Sequence, residues 1–270
     1  MQGLSHFVPT DLKIRYLNTL LQVGFDTLDF GSFVSPKAVP QLQDTAQVLA
    51  GLDLSQTQTK LLAIVGNRRG AEEALAFKTI QYVGFPLSVS ETFQQRNTNK
   101  SIAQAFDEVN FIQQRCLQTG RQLVVYLSMG FGNPYGDLYS PELVGEFSHR
   151  LVQMGVSIIA PSDTIGSSTP EAIENLFRPL IAQFPQVEFG AHLHTRPGEG
   201  VGKVQAALRA GVRRIDGALR GFGGCPMAAD ELTGNLPTEE IIQTLAKEGL
   251  APPINPEAFQ KAMTLSAGVF

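Results

Sequence analysis

VEFGAHLH, residues 187–194, is almost continuously apolar until its last three positions, and then places two histidines around one leucine. An apolar run of this length reads as a strand covered on both faces, as in a parallel sheet flanked by helices. In an extended strand, residues two apart point to the same side, so His192 and His194 face one space. The whole chain has only four histidines, and two of them stand here. Paired imidazoles facing one cavity are a common half of a metal site. On the triplet alone, two polar residues touching water and backbone at a strand end are the commoner reading.

Six further segments read the same way: TLDFGSF (27–33), KLLAIVG (60–66), YVGFPLS (82–88), QLVVYLSMG (122–130), SIIAPSD (157–163) and RIDGAL (214–219). Helical signals lie between them. Thr10-Asp11 opens a segment with Ile14, Leu17, Leu20 and Leu21 at helical spacing, and Ser35-Pro36, Ser140-Pro141 and Thr169-Pro170 each put a cap residue before a first-turn proline. Thr238 caps another helix without that proline. Strand followed by helix, repeated every 25–35 residues or so, is the pattern of a parallel α/β fold, and the repeat number favours a (β/α)8 TIM barrel. With no linker or low-complexity tract, residues 1–270 read as a single domain. Seven strands are counted and the chain opens on a helix, so the barrel is expected to lack its first strand in the chain as given.

Composition narrows the function. A formal charge of −4 argues against a nucleic-acid partner. No apolar run approaches the roughly 20 residues of a membrane span, and the opening residues lack a secretory layout. Two cysteines, Cys116 and Cys225, point to a reducing, cytoplasmic setting. A homo-oligomer is compatible with all of this.

Barrel active sites form where the strands end and the loops to the helices begin. Asp29 lies late in the first visible strand, Asp163 ends SIIAPSD, His192 and His194 end VEFGAHLH, and a glycine-rich loop, GFGGCPMAADELTGN (221–235), follows RIDGAL. Each has a bland reading as a cap, a turn or a water contact; together they read as an enzyme site. GEGVGK (198–203) lacks P-loop spacing and reads as a helix start, while Lys100 with Asn97–Asn99 reads as solvated surface.

GFGGCPMA, followed by GNLPTEE, closely resembles the loop of the 3-hydroxy-3-methylglutaryl-CoA lyases, approximately GLGGCPYA with a later GNLATE. GSFVSPKAVPQLQD (31–44), SDTIG (162–166) and the HLH triplet, where that family has HCH, agree in order along nearly the whole chain. The resemblance implies a divalent-metal-dependent carbon–carbon lyase acting on hydroxymethylglutaryl-CoA or a similar 3-hydroxyacyl-CoA, with Mg or Mn as cofactor. It assigns metal binding to His192, His194 and Asn235, together with an aspartate after the first strand. It assigns catalytic roles to Cys225, Asp29 and Asp163. A retro-Claisen cleavage suits these types: a cation orients the hydroxyl and carboxylate, a base takes the hydroxyl proton, and a thiol on a closing loop protonates the enolate.

The chain departs from the family in three places. Thr195 stands where the family has an aspartate after HCH, and Met227 replaces a tyrosine or similar group after GGCP. Aligned through Gln2 and VPTDLK (8–13), Met1 falls two positions beyond the Pro-Arg-Asp that ends the family's first strand. The expectation is an impaired activity for the chain as given. Either Met1 is an internal methionine or the chain is a shortened paralogue. A non-catalytic acyl-CoA-binding or partner subunit, and an enzyme for another acyl-CoA, are the competing readings.

Overall fold

All seven expected strands form in the computed structural model, which describes residues 1–224 and 233–270: β1 (Thr27–Ser32), β2 (Lys60–Ile64), β3 (Ile80–Ser88), β4 (Gln122–Ser128), β5 (Ile158–Asp163), β6 (Glu188–Thr195) and β7 (Arg214–Asp216). They lie side by side in chain order, each parallel to the next, from β1 at one edge to β7 at the other. Parallel neighbours need a crossover, and here helices supply it, which is the TIM-barrel pattern. Among the described residues β1 and β7 do not pair, so the wall is open between them, as expected of a barrel short of a strand.

The near-continuous apolarity of the strands has a direct cause. Leu62, Tyr82, Val124 and Ile158 form a small cluster inside the curl of the sheet. Their chain neighbours Leu61, Val83, Leu123, Val125 and Ile159 belong to the large outer core, with Phe106, Ile112, Ile173 and Phe177 from the helices. Alternate side chains thus bury on opposite faces, and neither face is left polar.

The helices are α1 (Thr10–Leu21), α2 (Thr45–Ala50), α3 (Arg68–Leu75), α4 (Glu91–Thr98), α5 (Ile102–Thr119), α6 (Pro141–Gln153), α7 (Pro170–Gln183), α8 (Gly200–Ala210), α9 (Thr238–Lys247) and α10 (Pro256–Val269). Ser140 and Thr169 cap α6 and α7, accepting from the Leu143 and Ala172 amides. Ser35-Pro36 starts only a turn, because Pro40 cannot donate an amide and helix resumes at Thr45. Thr238 is the first residue of α9 rather than its cap, a place taken by Pro237. The SFVSPKAVPQLQD segment is held by Lys13 of α1, which donates to Asp44 Oδ1 (2.6 Å) and to the Gln41 carbonyl (2.5 Å). No helix among the described residues is long and apolar enough to cross a membrane.

One strand was not foreseen. Gly234–Asn235 forms β8, which runs antiparallel to the end of β6 and pairs Asn235 with His194. This pairing brings the far side of the glycine-rich loop back over the two histidines.

Candidate active site

The end of β6 places both imidazoles on one side, with ring centroids 5.5 Å apart. His192 lies edge-on to Tyr126 of β4 at 5.3 Å, and its Nδ1 is 3.2 Å from Asp216 Oδ2 on β7. A carboxylate at one ring nitrogen fixes the tautomer and leaves the other nitrogen as a lone-pair donor. His194 is only 3% exposed, and its Nδ1 has no hydrogen-bond partner among the described residues. Burial, then the neighbouring His192, lowers its pKa to about 4, so the ring is neutral at ordinary pH. Asn235 donates from Nδ2 to the Phe222 carbonyl at 3.0 Å, which turns its side-chain oxygen the other way.

These groups fit a divalent cation on chemical grounds. A neutral imidazole with an orphaned buried nitrogen, a second imidazole oriented by a carboxylate, and an amide oxygen form an N/N/O donor set suited to a borderline or hard divalent ion. Among the described residues no three His, Cys, Asp or Glu side chains gather into a closed cage. The set is an open one.

Asp29 projects from β1 into the space inside the curled sheet. Protein surrounds it, yet its side chain remains accessible to water, as expected of a carboxyl on the wall of a wet, open lumen. Burial, then the carboxylate of Asp216, pushes its pKa up to about 7. Between about pH 4 and 7 the folded chain therefore holds this proton more tightly than the unfolded chain does. Stability from this group is full below that range and falls as pH rises through it. Asp29→Asn is expected to flatten the pH dependence of the urea midpoint over that window; parallel wild-type and variant curves would contradict the assignment.

Asp163, at the end of β5, is deeply buried among donors. It is 1% exposed, and its oxygens accept from the Ser167 amide (2.9 Å), the Ser168 amide (3.0 Å), the Ser168 hydroxyl (2.5 Å) and Lys203 Nζ (2.9 Å). Lys203, 2% exposed, also donates to the carbonyls of Gly166 (3.1 Å) and His194 (2.8 Å). A carboxylate with four donors is a structural hub joining the ends of β5 and β6. GEGVGK opens α8, and its lysine is this buried anchor.

Cys225 and Met227 lie outside the described residues. The remaining cysteine, Cys116, is buried in α5, and burial pushes its thiol up to about 12. Thr195 turns its hydroxyl back to the Arg196 carbonyl. Lys100 is tied down by Glu108 (3.2 Å) and the Gly66 carbonyl (3.4 Å) rather than freely solvated. Sequence reading missed Asp216, Tyr126, Arg214 and Lys203. The first and third carried a signal: RID puts two charged residues on one face of a strand whose neighbours are apolar on both. Arg214, from that face, lies 5.3 Å over the Tyr82 ring.

Known proteins resemble this chain in sequence and fold. The HMGL-like family profile matches residues 1–265. Hydroxymethylglutaryl-CoA lyase YngG of Bacillus subtilis is 32% identical over 245 residues, 91% of this chain and 81% of that one. The crystal structure of the Bacillus subtilis HMG-CoA lyase superposes with a TM-score of 0.92 at 30% identity, covering 99% of this chain and 89% of that one. An HMG-CoA lyase of A. baumannii, in complex with coenzyme A and 3-methylmalate, gives 0.91 at 28% identity, with 99% and 87% covered. Fold, loop sequence and full-length similarity converge, and the chain belongs to the HMGL-like family, as a relative of the hydroxymethylglutaryl-CoA lyases.

Proposed function

We propose that residues 1–270 form one lyase domain that cleaves hydroxymethylglutaryl-CoA, or a similar 3-hydroxyacyl-CoA, to acetyl-CoA and a keto acid. The observation that carries this is the β6–β8 pairing, which sets Asn235 opposite His194. His192, His194 and Asn235 would hold the divalent cation, with Mg or Mn suited to the set. When bound, such a cation lowers the pKa of a substrate hydroxyl and fixes its orientation.

The chain's own groups supply the proton traffic. Asp29, with a pKa near 7, is poised to accept the hydroxyl proton around neutral pH. Asp216 holds the His192 ring and, after burial, adds to the rise in the Asp29 pKa. Cys225 is the proposed donor to the departing enolate carbon. Asp163, held by four donors, positions the β5 and β6 ends beside the substrate. The thioester of an acyl-CoA is the proposed partner, and the low cysteine count supports a cytoplasmic setting.

The test is release of acetyl-CoA from hydroxymethylglutaryl-CoA by the purified chain with Mg2+ or Mn2+, and its loss on chelation. No release from this or related 3-hydroxyacyl-CoA esters, in a folded protein that binds metal, would refute the lyase reading. Asp216→Ala is expected to lower metal affinity or turnover by about 10–100-fold, since it frees the His192 ring to rotate and change tautomer. Unchanged metal affinity and turnover in that variant would show that Asp216 does not orient His192.

A further inference from the structure

We propose that Arg220 and Phe222, clamped against α10, are positioning residues that set the direction of the Asn235 side-chain oxygen; the value of that direction rests on the metal-ligand reading above.

Arg220 carries the first part of the argument. It sits in the left-handed region, at φ 58° and ψ 15°, although it is not glycine. That conformation is costly for a residue with a Cβ and persists where surrounding contacts impose it. Three contacts do so. The Arg220 amide donates to Glu239 Oε2 on α9 (3.0 Å), its Nε donates to the Ser266 hydroxyl on α10 (3.0 Å), and its Nη2 donates to the Met263 carbonyl on α10 (3.1 Å).

Two residues later the chain is clamped again. Phe222 stacks on Phe270 with centroids 4.7 Å apart and planes at 14°, and Phe270 packs edge-on against Tyr16 of α1 at 6.1 Å. The Phe222 carbonyl is the acceptor for Asn235 Nδ2. A carbonyl can face only the nitrogen of a carboxamide, so its place decides which way the amide lies. Gly221 and Gly223 allow the close approach. At φ +66° a Cβ on Gly221 would lie 2.9 Å from the Asn235 carbonyl oxygen, and at φ +103° one on Gly223 would lie 2.7 Å from Asn235 Nδ2. The route is continuous: α10 holds Arg220 and Phe222, Phe222 holds the Asn235 nitrogen, and the Asn235 oxygen is left facing away.

The test uses the full chain and two readouts. The first needs no metal: solvent exchange of the Asn235 side-chain amide protons, followed by 15N NMR. Arg220→Gly keeps the backbone conformation accessible but removes the α10 anchor, and Phe270→Ala removes the stack. Each is expected to speed exchange about tenfold, the scale of losing the support of one hydrogen bond. Phe270→Tyr keeps the stack and is expected to behave as wild type. Phe259→Leu is the control, because it disturbs α10 at its contact with Phe25 (6.5 Å) and not at the loop. The second readout is Mn2+ affinity, expected to fall about tenfold or more in the first two variants. Unchanged exchange in both, or an equal change in Phe259→Leu, overturns the clamp. Faster exchange with unaltered Mn2+ affinity overturns its role in orienting a ligand. If the wild type binds no Mn2+, the metal reading of the site falls, and the exchange data alone decide the clamp.

Discussion

Lys203→Met lowers the stability of the folded chain by about 3–5 kcal/mol, the cost of removing one partner from a buried ion pair. The side chain is 2% exposed and donates to three acceptors: Asp163 Oδ2, the Gly166 carbonyl and the His194 carbonyl. Methionine fills much of the same space, so the loss is electrostatic and not a cavity effect. It strands the charge of Asp163, which is 1% exposed, although the Ser167 and Ser168 donors remain. The effect is read as a shift in the urea midpoint at unchanged slope. Asp163→Asn in the Lys203→Met background should cost much less than it does alone, because the two act through one contact. Additive losses, or a shift below about 1 kcal/mol for Lys203→Met, would remove the hub from the account.

His194→Ala has the opposite profile. Its imidazole is buried with a nitrogen that has no partner among the described residues, so the folded chain gains little from that nitrogen as a polar group. Turnover is expected to fall about 10³-fold or more, the scale of several kcal/mol of lost charge stabilisation by the cation it would hold. Stability measured without metal should change far less than in Lys203→Met. The checks are acetyl-CoA release at saturating substrate and Mg2+, and thermal unfolding in a chelator. Turnover within tenfold of wild type would take His194 out of the ligand set.

The strands and most of the helices were legible because each rests on local pattern. Runs such as QLVVYLSMG must bury two faces, and Ser140-Pro141 and Thr169-Pro170 start helices through contacts within one turn. Ser35-Pro36 carried the same local signal and made only a turn, because a proline four residues on interrupts it. The histidine pair was legible for the same reason: strand geometry alone puts residues two apart on one side.

What the site does with those residues was not local. Asp216 lies 24 residues from His192, and Asn235 and Lys203 reach His194 by a β pairing and a hydrogen bond to its carbonyl. Asp163 illustrates the difference most clearly. Its sequence context matched a catalytic role, and only the packing of α8 against β5 and β6 brought an ammonium to its oxygens. The sequence by itself determined the parallel α/β fold and the placement of two imidazoles on one side at the end of a strand. The tertiary structure decided which charged groups face one another. The reason is range: backbone preference and hydrophobic period act within a few residues, whereas the state of a carboxylate or an imidazole is set by whatever the fold brings within a few ångströms of it.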